Sequence, residues 1–320
     1  MPAPRRLTII LAFAAIYLIW GSTYLGILLA IQSVPPFLMA GSRFLISGFI
    51  MYAIARLGGA AKPEGATWRT SLIVGGCLLF CGNGGVTIAE QWVPSGLASL
   101  LVASVPIYMT VLGWLSGIAP RPTPAVWLGL IGGFIGVGFL VGPALTNTSS
   151  ATPNHLGLGM CVLLIGSLIW SIGSLYSRGA KSAPSLILAA GQQMICGGGL
   201  LFLAGFVLSE PRHFAFARVT PVSIWAFAYL VVIGALIGYT AYFWLLRHCD
   251  PGKVGTYAYV NPVVAMLLGT LFAHETLSLR TLLAAGLIVG SVALVITAQH
   301  LRRPIVRPAT AAAEAIDCAT

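Results

Sequence analysis

The segment GTYAYVNPVVAMLLGT, residues 255–270, decides how the chain is read. It has the composition of a lipid-soluble helix, yet Asn261 and Pro262 stand in its middle. Proline lacks an N–H and crowds the carbonyl four residues earlier, so a backbone acceptor is freed. Water would satisfy that acceptor and hydrocarbon would not. The rest of the sequence identifies the solvent. Mean hydropathy is +0.94, 58% of the 320 residues are hydrophobic and 8% are charged, where a soluble domain carries about 25% charged residues. The expectation is an all-α integral membrane protein.

Crossing the hydrocarbon core takes roughly 17–25 apolar residues of helix. Ten such runs occur, at 8–30, 37–57, 70–90, 96–117, 125–142, 156–177, 185–208, 223–246, 254–273 and 280–299. The first follows Arg5 and Arg6 but is too long for a signal-peptide core and lacks an Ala-x-Ala exit, so it is expected to be retained. The formal net charge of +10 would suggest nucleic acid in a soluble protein. Here its placement gives another reading. Of the 17 Lys and Arg, Arg212, Arg218 and Arg280 fall in loops on one side, Arg43 falls inside a span, and the other thirteen fall on the opposite side. The positive-inside rule then puts both termini in the cytoplasm and leaves no charge for nucleic acid to explain. The tail 301–320 has neither apolar periodicity nor bulk and is expected to be disordered.

Laid over itself, the chain repeats. An offset of 150 residues places Trp20 on Trp170, Leu25 on Leu175, Gly41 on Gly191 and Arg43 on Gln193. An offset of 156 places Pro106 on Pro262 and Gly113 on Gly269, and one of 154 places Gly132 and Gly136 on Gly286 and Gly290. Each half holds five spans, an odd number, so the second must enter the membrane inverted. Ten transmembrane helices as two inverted five-helix repeats is an architecture of secondary transporters.

The stretches IYLIWGSTYLGI (16–27), PPFLMAGSRF (35–44), GNGGVTIAEQWVPSGLASLLVASVP (82–106) and YAYVNPVVAMLLGTLFAHETLS (257–278) carry a family resemblance over nearly the whole chain. The sequence resembles the EamA family of the drug/metabolite transporter superfamily. The resemblance implies two EamA repeats, at 1–145 and 153–300, a central cavity, a bacterial inner-membrane location and export of a small metabolite or drug. One departure is that His274 stands before Glu275, where the family pattern has Gly-Glu.

Polar groups inside spans are costly unless they face protein or water. Asn83, Thr87 and Glu90 recur at i, i+4 and i+7 and form one stripe. Trp20, Thr23 and Tyr24 share a face of the first span; Tyr239, Tyr242 and Phe243 cluster in the eighth; Tyr257 and Asn261 share a side of the ninth. An aromatic wall with few polar groups suits a partly apolar organic solute, so Trp20, Thr23, Tyr24, Asn83, Thr87, Tyr242, Tyr257 and Asn261 are the expected binding residues. Arg43 is expected to pair with Glu90 or attract an anionic substrate group, against a snorkelling alternative, and Gln192 and Gln193 to make neutral hydrogen bonds. Glu90 is also the candidate for any coupling proton. Pro106 and Pro262 are expected to kink two equivalent helices, freeing the carbonyls of Val102 and Ala258.

Cys77 and Cys81, at i, i+4 without a neighbouring His, read as packing, so no metal or cofactor is expected. The Gly132/Gly136 and Gly286/Gly290 pairs read as helix contacts. HETLS lacks the second His of a zinc protease and no nucleophile elbow occurs, which argues against an enzyme. The expected partners are a small-molecule substrate and the lipid bilayer, with homo-oligomerisation open. The alternative function is a channel or receptor-like protein without coupled transport.

Overall fold

In hydrocarbon the backbone must pair within the chain, and a helix does this locally. All regular elements among the described residues are helical. The computed structural model describes residues 6–117, 121–146, 155–248 and 257–301. The tail from residue 302, Cys249, Asp250, Lys253 and Cys318 lie outside the described residues, as does the side chain of Phe243.

Helix α1 (Arg6–Ala30) is followed by α2 (Pro36–Leu57). Then α3 (Gly65–Gly75), an eight-residue π segment (Gly76–Asn83) and α4 (Gly84–Ala89) make one span, followed by α5 (Ser95–Val102), α6 (Val105–Leu115) and α7 (Pro124–Thr146). The second half runs α8 (His155–Gly179), α9 (Leu186–Val207), the short α10 (Glu210–His213), a 3-10 turn (Phe216–Arg218) and α11 (Pro221–Tyr229). It ends with a second eight-residue π segment (Leu230–Ile237), α12 (Gly238–His248), α13 (Tyr257–Phe272) and α14 (Leu279–Leu301).

Among the described residues, 7 helical stretches are long and apolar enough to cross a bilayer, fewer than the ten read from sequence. The other three expected spans fall on α7, α13 and α14, in which Pro124–Phe139, Val260–Phe272 and Leu279–Val295 are apolar helix of 10–17 residues. Large apolar side chains, among them Leu7, Leu57, Phe134, Leu203 and Leu283, cover the periphery, as a surface solvated by acyl chains requires.

The halves meet through glycine. A Cβ on Gly48 would lie 3.0 Å from the Gly191 carbonyl oxygen, and one on Gly198 would lie 3.1 Å from that of Gly41. The two contacts run in opposite directions along α2 and α9, so these helices are antiparallel. The 150-residue offset turns one contact into the other. A similar exchange relates Trp170, whose ring would meet a Cβ on Gly82 at 2.5 Å, to Trp20, which would meet one on Gly238 at 2.7 Å. The π segments themselves lie 154 residues apart, and Gly84 and Gly238 each donate to a carbonyl five residues back, Leu79 and Ile233. Such segments are rare and cluster at functional sites.

Two expectations change. Gly132 and Gly136 of α7 pack on Ser291 and Ile288 of α14, but Gly286 and Gly290 are exposed, with nothing within 4 Å of an added Cβ. Helix α14 turns Ile288, Ser291 and Val295 towards α7, and residues two positions from Ile288 point about 200° away. The prolines also do not make a matched pair of kinks. The backbone turns at Ala103 and Ser104, and Pro106 is the second residue of a new helix, whose Ile107 and Tyr108 N–H groups bond the Ser104 carbonyl. An N–H is not needed at that position, so proline starts a helix there rather than bending one. Pro262, by contrast, lies inside α13.

Candidate functional site

Helices α1, α12 and α13 bring four aromatic rings together. Trp20 stands with its ring centroid 5.3 Å from Tyr239, 5.0 Å from Tyr242 and 5.0 Å from Tyr257, and Tyr242 and Tyr257 are 6.1 Å apart. Most of these pairs are edge-to-face, the arrangement favoured by ring quadrupoles. Gly238 makes room for the indole. The expected aromatic wall is therefore a contiguous cluster, lying between mid-membrane and the face where α1 begins.

The polar residues lie nearer the opposite face. Arg43, seven residues into α2, is 5% exposed and donates from Nη2 to Asn83 Oδ1 at 3.1 Å. Its guanidinium also stacks over the Phe44 ring at 4.1 Å, while Nε and Nη1 have no partner. Tyr239 and Glu90 are its electrostatic neighbours, so the charged pole adjoins the aromatic cluster. The Arg43–Glu90 ion pair does not form, and Arg43 does not snorkel to the surface. Asn83 closes the π segment at the height of Arg43, whereas Glu90 lies seven residues on, about 10 Å along the axis. Glu90 is 2% exposed with both carboxylate oxygens unpartnered, and Tyr24 and Glu275 are also near it.

The hydroxyls are placed differently from the expectation. Thr87 is fully buried and donates to the Asn83 carbonyl at 2.9 Å. Thr23 donates to the Trp20 carbonyl at 2.7 Å, and its methyl faces Gly234. Both therefore act first on their own helices. Tyr24 is half-buried and packs against the apolar cluster of Ala89, Val93, Ala98 and Leu101. Gln192 donates to Thr67 Oγ1 at 3.2 Å near the other face, joining α9 to α3.

Asn261 bridges helices. Oriented with its nitrogen towards carbonyls, its amide donates to Tyr257 at 3.2 Å and Tyr17 at 3.3 Å, tying α13 to α1 while buried to 7% exposure. Its carbonyl oxygen remains as the acceptor. Trp170 is the residue that the sequence reading left out of the site: it occupies on α8 the place that Trp20 holds on α1, over Gly82 instead of Gly238. The signal was present in the 150-residue offset, which aligns the two tryptophans.

Comparison with known proteins identifies the family. The model of the EamA-like transporter family matches residues 7–142 and again residues 157–297. The inner membrane transporter YedA of Escherichia coli is 37% identical over 300 residues, 93% of this chain and 94% of that protein. The transporter YvbV of Bacillus subtilis is 28% identical over 295 residues, 91% of this chain and 92% of the relative. A crystal structure of a protein 20% identical superposes with a TM-score of 0.61, covering 92% of this chain and 100% of the other, which speaks for the fold alone. These matches indicate a transporter rather than an enzyme. With the family model matching both halves and a relative at this identity along nearly the full length, the chain belongs to the EamA-like transporter family.

Proposed function

We propose that the protein is a secondary transporter of the bacterial inner membrane that exports a small organic solute by alternating access. Two inverted repeats, 1–145 and 153–300, would supply ten crossings, with both termini cytoplasmic; the exchange of the Gly41–Gly198 and Gly48–Gly191 contacts and the 154-residue offset of the π segments support the repeat. The asymmetry of Lys and Arg supports the orientation, which makes the face carrying residues 31–35 and 90–94 the outer one.

The observation that carries the reading is the meeting of two chemistries inside the bundle. The rings of Trp20, Tyr239, Tyr242 and Tyr257 take the apolar body of a solute, and the unpartnered Nε and Nη1 of Arg43, fixed by Asn83, take a polar or anionic group. Asn261 offers its remaining oxygen, and Thr23, Tyr24, Thr87 and Trp170 shape the wall. Pro262 frees a carbonyl at the same depth. Glu90, buried without a partner, is the group proposed to take up a coupling proton.

A screen of metabolites and drugs for thermal stabilisation of the purified protein, followed by counterflow in proteoliposomes, tests this. A ligand whose stabilisation is lost in both Trp20→Ala and Arg43→Gln is expected, with flux that saturates. Flux that never saturates would favour the channel alternative, and an Arg43→Gln variant that transports normally would remove Arg43 from the site.

A further inference from the structure

We propose that Glu210 and Glu275 clasp the two halves together at the outer face, so that the transporter rests facing inward. The inference depends on the carrier reading above for the meaning of inward and outward; the clasp itself is in the contacts. Glu210, just beyond α9, accepts hydrogen bonds from the backbone N–H of Phe37 at 3.1 Å and Leu38 at 2.8 Å, at the start of α2. Glu275, just beyond α13, accepts from the N–H of Ser95 at 2.6 Å and Gly96 at 3.1 Å, at the start of α5. In each case a carboxylate from the second half caps a helix of the first.

The receiving helices have no cap of their own. Their N-cap residues are Pro35 and Pro94, which offer no side-chain acceptor, so the first N–H groups depend on the other half. A carboxylate there makes charge-assisted bonds and meets the positive end of the helix dipole. Each glutamate is aimed by the residue before it, Ser209 at φ 59° and His274 at φ 54°. Both are non-glycine residues in the left-handed region, which is strained and turns the following side chain back across the interface.

Among the described residues, the inner end of the α2–α9 pair keeps the turn without this device. By the 150-residue offset, Ser209 and Glu210 correspond to Gly59 and Ala60, and Leu38 to Leu188. Gly59 holds φ 85°, and Ala60 packs beside Ile187 and Leu188. Among the described residues no carboxylate reaches α9 there; the Leu188 N–H is capped by its own Ser185 at 3.4 Å. The polar side-chain ties between halves at that face, among the described residues, are the neutral Gln192–Thr67 bond and a Lys181–Glu64 ion pair at 2.6 Å whose side chains are 62% and 66% exposed. Opening outward would leave four N–H groups and two carboxylates without partners, and opening inward would break no charge-assisted cap among the described residues. The equilibrium is biased accordingly.

The test uses the full chain with its 6 native cysteines replaced, spin-labelled at Gln91→Cys and Arg218→Cys. These are exposed positions on outer loops of the first and second halves. Distances are measured by double electron–electron resonance without substrate. A single short outer distance is expected in the parent. Glu275→Ala should enrich a longer-distance population about tenfold, Glu210→Ala added to it should enrich it further, and Ala60→Glu, which builds the missing inner clasp, should shift the population the same way. Glu275→Gln keeps the side-chain shape and one acceptor oxygen, so it serves if the alanine variant does not fold, and should give a smaller shift. Hydrogen exchange at the Ser95 and Gly96 amides reports whether the cap was lost. Faster exchange with unchanged distances in both Glu275 variants overturns the clasp, leaving two helix caps. Because no solute is needed, normal distance shifts with no carrier flux in the parent would instead overturn the carrier reading.

Discussion

The two ends of the α2–α9 pair differ in chemistry while sharing a backbone. At one end, a left-handed residue, Ser209, turns Glu210 onto the N–H groups of Phe37 and Leu38. At the other, Gly59 makes the same turn, but Ala60 follows it and α9 caps itself with Ser185. The comparison teaches that the repeat preserves the path of the chain and leaves the fastening of each face to single side chains. A symmetric scaffold thereby acquires a preferred side at the cost of a few hydrogen bonds.

The largest way to break the comparison is to attack the axis that relates the two ends. A Cβ on Gly191 would lie 2.8 Å from the Tyr52 backbone nitrogen and 3.0 Å from the Gly48 oxygen. Gly191→Leu is therefore expected to cost about 3 kcal/mol or more, since neither backbone can give way; loss of the monodisperse peak in fluorescence-detected size exclusion would register it. Next comes Glu210→Ala, which strips two charge-assisted bonds from α2 and should cost about 2 kcal/mol in thermal unfolding. Its counterpart on the other face, Ser185→Ala, removes one neutral cap from α9 and should cost about 1 kcal/mol in the same assay. Equal losses for the two would show that the faces are not fastened differently.

His274→Gly sharpens the comparison in the opposite direction. Glycine adopts the left-handed conformation without the Cβ clash, and the turn is already closed by the Glu275 N–H bonding the Gly269 carbonyl at 3.1 Å. A gain of about 1 kcal/mol is expected, seen as a raised Tm, with the Glu275 clasp intact. The smallest effect belongs to Lys181→Ala. Its ion pair with Glu64 is exposed on both sides, so the change should stay below about 0.5 kcal/mol, and added salt should erase the difference.

Much of this arrangement was legible in the chain. Hydropathy and the +0.94 mean identified the solvent, and the offset of Trp20 on Trp170 identified the repeat. Helical spacing put Trp20, Tyr242 and Tyr257 on faces of three separate spans, and the packing of α1, α12 and α13 joined them into one cluster. The Arg43–Glu90 pair was misread for a definite reason. Spacing along a regular α-helix places Glu90 on the stripe with Asn83, but it also sets Glu90 about 10 Å further along the axis, and which residue of the stripe stands level with Arg43 is decided by how the two helices pack. The exposure of Gly286 and Gly290 was misread similarly: a small-residue pair marks a face that allows close approach, and only the neighbour decides whether that face is used.

Pro106 and Pro262 mark the boundary between the two kinds of knowledge. By itself the sequence determined that this is a helical membrane chain with two related halves, because hydrophobic run length, charge placement and internal similarity are properties of order along the chain. It also determined that both prolines interrupt apolar segments. Only the tertiary structure decided that Pro106 begins a helix while Pro262 lies within one, that Asn261 ties α13 to α1, and that Glu210 and Glu275 fasten helices 173 and 180 residues away. Those outcomes depend on which backbone groups are left unpaired once helices pack, and in a medium without water the nearest side chain from another helix must satisfy them.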